Sequence, residues 1–306
     1  MATTETIGDA PVNPLGVGAA AVAVSAWGFA TVIVKSIDMG SLAIGVYRFT
    51  VFSVVLIAFM AIRRNPLTIR ALRESMWGGI ALGADIALFF SAVKLTSIAN
   101  ATVIGSLQPV VIALVSARLF GERITPRSMG LGLVALIGAL AVVVSGADEA
   151  GGSRLGDLLA VGALISWAAY FVFSRQAKQK ISPQEYTTGA SVWTALINLP
   201  LALLFGQDLS WPDASTWVWL LALTFGSGLL GHSMMNWSIQ QIPLWISSTF
   251  TLAIPVVSAG AAWVFLDEPL TIIQVLAMAV VLGALAGIVT AQDGVRTQRR
   301  LRLRRR

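Results

Sequence analysis

In a chain this apolar, the few side chains equipped for chemistry stand out by type and spacing. Asp85 lies in the middle of an apolar run, where a carboxylate must meet water, a partner or a ligand. It suits anchoring an ammonium or accepting a proton; the alternative is a protonated carboxyl satisfied by a neighbouring helix. Phe89 follows one turn later on the same face. His232 and Asn236 are spaced i and i+4, so they also share a face. Histidine titrates near neutral pH and with Asp85 could carry a coupling proton, or it could sit neutral on a backbone carbonyl. Trp27, Trp167 and Tyr170 offer flat faces for an aromatic or cationic ligand, and N–H and O–H groups to orient a carboxylate. Packing or an interfacial belt is the competing explanation, and it suits Trp211, Trp217 and Trp219. Tyr47 and Arg48 could bind a carboxylate, or Arg48 could snorkel outward. Gln108 precedes Pro109, and a mid-span proline frees a carbonyl about one turn earlier, so a polar notch and a flexing point are expected there and at Pro255. Glu122 and Glu268 fall at helix junctions, where capping the next helix is the expected job.

Several chemistries are excluded. With a single histidine, no cysteine and no HExxH pattern, neither a metal site nor a disulfide is expected. No GxxxxGK[ST] loop occurs, so direct nucleotide coupling is not expected, and no cofactor is called for. No nucleophile and base pair exists to suggest an enzyme.

The elements that position these residues follow from composition. The chain has 306 residues, of which 56% are apolar and 12% charged, and its mean hydropathy is +0.79. Soluble domains run near 45–50% apolar and about 25% charged. Spans of roughly 20 apolar residues are expected near 15–36, 41–62, 72–93, 97–119, 127–146, 154–175, 185–205, 214–238, 245–266 and 270–291. The fold class is therefore all-α integral membrane, with ten transmembrane helices joined by short polar loops that make sequence neighbours antiparallel. Of 21 Lys and Arg residues, 17 fall on one side if the N-terminus is cytoplasmic, which puts both termini inside. The basic run from 292 to 306 reads as a cytoplasmic tail facing anionic lipid rather than nucleic acid. The N-terminus lacks a positive n-region, so the first apolar run is expected to be retained.

One stretch occurs twice. QPVVIALVSARLFGERIT (108–125) and IPVVSAGAAWVFLDEPLT (254–271) match at an offset of 146, pairing Pro109 with Pro255, Glu122 with Glu268 and Thr125 with Thr271. The first spans match too, with Trp27 on Trp167 and Lys35 on Arg175. Five spans per half is an odd number, so residues 1–146 and 154–291 should form two inverted five-helix repeats. Asp85 then corresponds to Gly231, with His232 one residue beyond. Gly79 with Gly83 and Gly283 with Gly287 are small-xxx-small pairs, the second a possible aid to weak dimerisation of an otherwise monomeric chain.

Five spans per half, a Trp in the first of each, and a proline-containing fourth span ending in Glu resemble the EamA-type drug/metabolite transporters. Within them the chain looks most like the YddG-type exporters of aromatic and other amino acids. The resemblance implies a central cavity lined by spans 1, 3, 4, 6, 8 and 9, with 5 and 10 at the periphery. It also implies export across the bacterial inner membrane. The expected activity is secondary export of small metabolites, amino acids first, by alternating access, with or without proton coupling. A drug or cation exporter of the same fold, or a passive channel, is the alternative.

Overall fold

The computed structural model describes residues 13–35, 37–95, 104–122, 124–145, 153–266 and 269–304, and among them every regular element is helical. The helices are α1 (Pro14–Lys35), α2 (Ser41–Ile62), α3 (Ile69–Leu95), α4 (Gln108–Phe120) and α5 (Pro126–Ser145). There follow α6 (Arg154–Ala177), α7 (Pro183–Leu204), α8 (Ala214–Gln241), α9 (Leu244–Phe265) and α10 (Ile272–Arg304). Seven of these are long and apolar enough to cross a membrane, and Pro14–Ala30 and Gln108–Phe120 are shorter apolar helices. The expected start of the fourth span, like Glu268 and the 147–152 connection, lies outside the described residues.

Two helices depart from regular α geometry, and a third starts at a break in the chain. In α8, Thr224–His232 is a π-helix over TFGSGLLGH, whose three glycines supply no side-chain packing to hold the tighter turn. In α9, Phe250–Ala253 is a 3₁₀ segment just before Pro255. The expected free carbonyl there is corrected: Pro255 cannot serve Thr251, but the Ile254 N–H does, and this closes the 3₁₀ turn. Pro109 does not kink a continuous helix either. The chain turns at Ser106 and Leu107, and α4 restarts with Pro109 in its first turn, where a missing N–H costs nothing. The last helix runs on from the apolar stretch to Arg304, so the basic segment extends α10 rather than hanging from it.

Helix ends are tied by side chains. Thr125 caps α5 through its Oγ1, which accepts from the Ser128 N–H at 3.1 Å. Its counterpart Thr271 caps α10, accepting from Gln274 N–H at 3.1 Å while Gln274 Oε1 accepts from Thr271 N–H at 2.8 Å. Ser182 and Glu185 form a capping box on α7.

Short loops predict antiparallel neighbours, yet each helix of the first segment finds its principal partners in the second. Thus α3 packs on α6 and α7, α2 on α7, α1 on α8 and α9, and α5 on α10. Gly79 and Gly83 permit the close approach of α3 to α7, since a Cβ at 79 would meet the Ala190 carbonyl at 2.7 Å and one at 83 would meet Ile197 at 3.1 Å. Gly287 serves the same purpose against Leu131 of α5, within this chain, while Gly283 faces open space. The α5–α10 pair turns Leu133, Ile137, Val144, Ile273 and Leu276 outward. The main buried core draws on all ten helices, with its aromatic residues on α1, α2, α6, α7 and α9.

Candidate functional site

An aromatic cluster occupies the crossing of the two segments. Trp27 of α1 and Trp167 of α6, paired only by their matching places in the sequence, touch edge to face at a centroid distance of 5.2 Å. His232 stands against both, at 5.4 Å from Trp27 and 6.3 Å from Trp167, with Tyr170 at 6.0 Å. Phe49 and Phe52 of α2 close the cluster at 5.9 and 6.4 Å from the imidazole. Both went unnoticed in the sequence because nothing in an apolar run distinguishes a lining Phe from a packing one. The π-helix shapes this place: the Ser227 carbonyl accepts the Trp27 Nε1–H at 3.1 Å. Gly231 leaves room for the indole, since a Cβ there would lie 2.8 Å from Trp27 Cδ1. Gly231 is the residue that the repeat spacing sets opposite Asp85, and here Trp27 fills the space a side chain would take.

From His232 a polar chain runs toward the end of the bundle that carries the α6–α7 connection. Tyr170 Oη lies 3.4 Å from His232 Nδ1, and Asn236 Nδ2 donates to Tyr170 Oη at 2.8 Å and to Thr187 Oγ1 at 3.0 Å. Asn236 Oδ1 accepts from Ser174 Oγ at 2.8 Å and from Lys178 Nζ at 2.7 Å. Lys178 also donates to Ser174 Oγ and to the Asn236 carbonyl, and its ammonium lies 4.9 Å from the Tyr186 ring centroid. Lys178, one of the cations counted toward the cytoplasmic side, is buried here, only 8% exposed. The signal was available: Tyr170, Ser174 and Lys178 are spaced four apart, one stripe along α6 and its C-cap.

Beside it, Glu122 does not cap the helix that follows it. Its carboxylate accepts from the Leu244 N–H at 2.7 Å and the Trp245 N–H at 3.2 Å, at the start of α9. Arg175 lies 3.8 Å from the same carboxylate, buried like it, and donates to the Ile242 carbonyl at 3.5 Å. The exposed pair Lys180 and Glu74, at 2.8 Å, is the surface contrast.

The remaining expected residues are placed apart from this chain. Arg48 is buried, its guanidinium 5.0 Å from the Phe49 ring centroid and its Nε without a hydrogen-bond partner. Asp85 is half-buried in α3, next to Ile86, which packs near Gly45 one turn from Arg48. Neither forms an ion pair among the described residues. Tyr47 points elsewhere than Arg48: its hydroxyl donates to the Leu209 carbonyl at 2.7 Å, and its ring meets Trp217 at 5.7 Å and Trp211 at 6.4 Å. A half-open apolar cleft of about 390 Å³ lies there. Phe89 joins Ala92 and Ala160 in a separate small cluster. Gln108 is buried and accepts from Thr251 Oγ1 at 2.9 Å, joining the break before Pro109 to the 3₁₀ turn before Pro255; its Nε2 has no partner. Among the described residues no His, Asp or Glu group could hold a metal ion.

The model of the EamA-like transporter family matches residues 14–144 and again 154–290. The chain belongs to the EamA-like transporter family. This EamA-like chain is 28% identical over 90% of its length to a probable amino-acid metabolite efflux pump of Salmonella typhimurium, covering 94% of that protein. It is 26% identical to the threonine/homoserine exporter RhtA of Escherichia coli K12, over 81% of this chain and 82% of the relative. To the aromatic amino acid exporter YddG of Ancylobacter novellus it is 34% identical, but over 49% of this chain and 52% of that one. A solved crystal structure matches the fold with a TM-score of 0.77 at 23% identity, covering 90% of this chain and 98% of its own. The family and the apolar helices make this a multi-pass membrane protein and a transporter, related to exporters of small metabolites.

Proposed function

We propose that this chain is a secondary transporter that exports amino acids across a bacterial inner membrane by alternating access. α1–α5 and α6–α10 are read as ten spans in two inverted halves, with both termini in the cytoplasm as the Lys and Arg distribution favours. The observation that carries the reading is the aromatic cluster of Trp27, Trp167, Tyr170 and His232 at the crossing of the segments, with the unpaired Arg48 beside Phe49 at its edge. A zwitterion with an apolar or aromatic side chain suits such a place. Arg48 takes the carboxylate, Asp85 takes the ammonium or a coupling proton, and the rings take the side chain. In this orientation the cytoplasmic end is tied shut by Glu122 on the start of α9, so loading from the cytoplasm requires that carboxylate to let go. The breaks before Pro109 and Pro255, joined by Gln108 and Thr251, are where the helices flex.

Uptake of radiolabelled amino acids into proteoliposomes, with and without a proton gradient, tests the reading. Saturable uptake of at least one amino acid is expected. Flux that rises linearly with concentration would mark a channel, and no flux for any amino acid would discard the substrate class.

A further inference from the structure

We propose that Lys178 fixes the tautomer of His232 through Asn236 and Tyr170, so that the imidazole presents Nε2–H to the substrate. The substrate part rests on the exporter reading; the tautomer does not.

The derivation uses only which atoms can donate. An ammonium donates three hydrogens and accepts none. Lys178 spends all three, on Ser174 Oγ, the Asn236 carbonyl and Asn236 Oδ1. Its contact at 2.7 Å therefore forces the amide oxygen of Asn236 to face it, because the flipped amide would set N–H against N–H. Ser174, which accepts from Lys178, has its own hydrogen free for the same amide oxygen. The Asn236 NH2 must then point the other way. One hydrogen goes to Thr187 Oγ1, whose hydroxyl is already donated to the Pro183 carbonyl, and the other goes to Tyr170 Oη. Tyr170 is thus an acceptor toward Asn236, and its single hydrogen must be placed elsewhere. The only acceptor within reach among the described residues is His232 Nδ1, at 3.4 Å. Were Nδ1 to carry a proton, the buried Tyr170 hydroxyl hydrogen would be stranded. So Nδ1 accepts and Nε2 bears the proton.

Nε2 has no protein partner among the described residues, and the rings of Trp27, Trp167, Phe49 and Phe52 surround the imidazole. An N–H set among aromatic rings is a directional donor for a carboxylate or carbonyl oxygen. Lys178 acts here as a positioning residue: it touches no substrate and is held at the far end of the chain.

His232 is the only histidine in the sequence, so selective 15N-histidine labelling of the full chain in lipid nanodiscs gives an unambiguous spectrum. In the wild type, Nδ1 is expected in the pyridine-type region and Nε2 in the pyrrole-type region. Lys178→Met frees the Asn236 amide to flip, and the bias toward Nε2–H, roughly fivefold for one net hydrogen bond, should collapse to a mixture. Asn236→Asp makes the position an acceptor that takes the Tyr170 hydrogen, and His232 should reverse to Nδ1–H or become doubly protonated. Ser174→Ala keeps the lysine and should leave the spectrum as in wild type. A wild-type Nδ1–H, or an unchanged spectrum in folded Lys178→Met, overturns the proposal. If Lys178→Met does not fold, an unchanged spectrum in Asn236→Asp overturns it instead. Loss of all amino acid transport with the predicted spectra intact would remove the exporter reading and leave the tautomer assignment standing.

Discussion

In the proposed binding mode Arg48 and Asp85 make opposite demands on a ligand, and that separates their variants. Arg48 has a buried guanidinium with an unused Nε–H, so Arg48→Met should raise the KM for free amino acids about tenfold, the cost of a charge-assisted hydrogen bond. Amino acid methyl esters, which lack the charge, should be affected far less; equal losses for both would assign Arg48 to packing. Asp85→Asn keeps shape but not charge, and proteoliposomes carrying it should lose any stimulation by a proton gradient while retaining substrate exchange. Transport that still follows the gradient would return Asp85 to a structural role. These two residues were legible in the sequence because a charge in an apolar run must be explained. Trp27, Trp167, Tyr170, His232 and Asn236 were legible as well, and the structure brings them together. Tyr47 was not, because consecutive helical residues point about 100° apart and its hydroxyl serves the far loop instead. Lys178 was hidden for the opposite reason: near a helix end a long side chain can reach solvent or fold back, and only the acceptors on α8 decide which.

At the scale of the element, α8 and α9 are where local irregularity does the positioning. Gly231→Ala sets a methyl against the Trp27 indole and should lower thermal stability in detergent by about 1–3 kcal/mol. Gly226→Ala meets open space and should cost less or stabilise, so similar losses for both would mean that the π-segment itself is fragile. Glu122→Ala removes the acceptor for two N–H groups and strands buried Arg175. Because the chain has no cysteine, Ser247→Cys offers a clean probe behind this tie. Labelling of that cysteine by an impermeant maleimide from the cytoplasmic side should rise severalfold in Glu122→Ala; equal labelling with normal transport would make the tie a static cap. At the other end, Asp213 starts α8 and its hydrogen bond from the Thr216 N–H holds its pKa below the ordinary 3.8. A depressed carboxylate stabilises above the unfolded value and loses that contribution as pH falls through the lower folded one. Fraying of this helix start should therefore appear in hydrogen exchange only in acid. The prolines marked where α4 and α9 depart from a continuous helix but not the form this takes, since Pro109 alone does not say that the helix restarts beside it, and the glycines in TFGSGLLGH fit a regular helix equally well.

For the whole molecule, the all-helical membrane class was readable from hydropathy, but which helices touch was not. Apolar faces carry no address, and close approach is chosen by small residues such as Gly79 against Ala190. Because the helices of 14–145 take their main partners from 154–304, neither segment should be stable alone. Cutting between residues 148 and 149 and expressing the parts separately should give degraded material by fluorescence size exclusion, whereas co-expression should restore a complex that transports. A monodisperse first segment would contradict this interlocking. The same arrangement also sets a problem in time. During synthesis α1–α5 enter the bilayer before their partners exist, and for that interval Arg48 and Asp85 sit in lipid without the rings and helices that later enclose them. The nascent protein thus passes through a stage whose cost is concentrated in the residues proposed to bind the substrate. Substitutions that relieve it should improve yield even where they abolish activity.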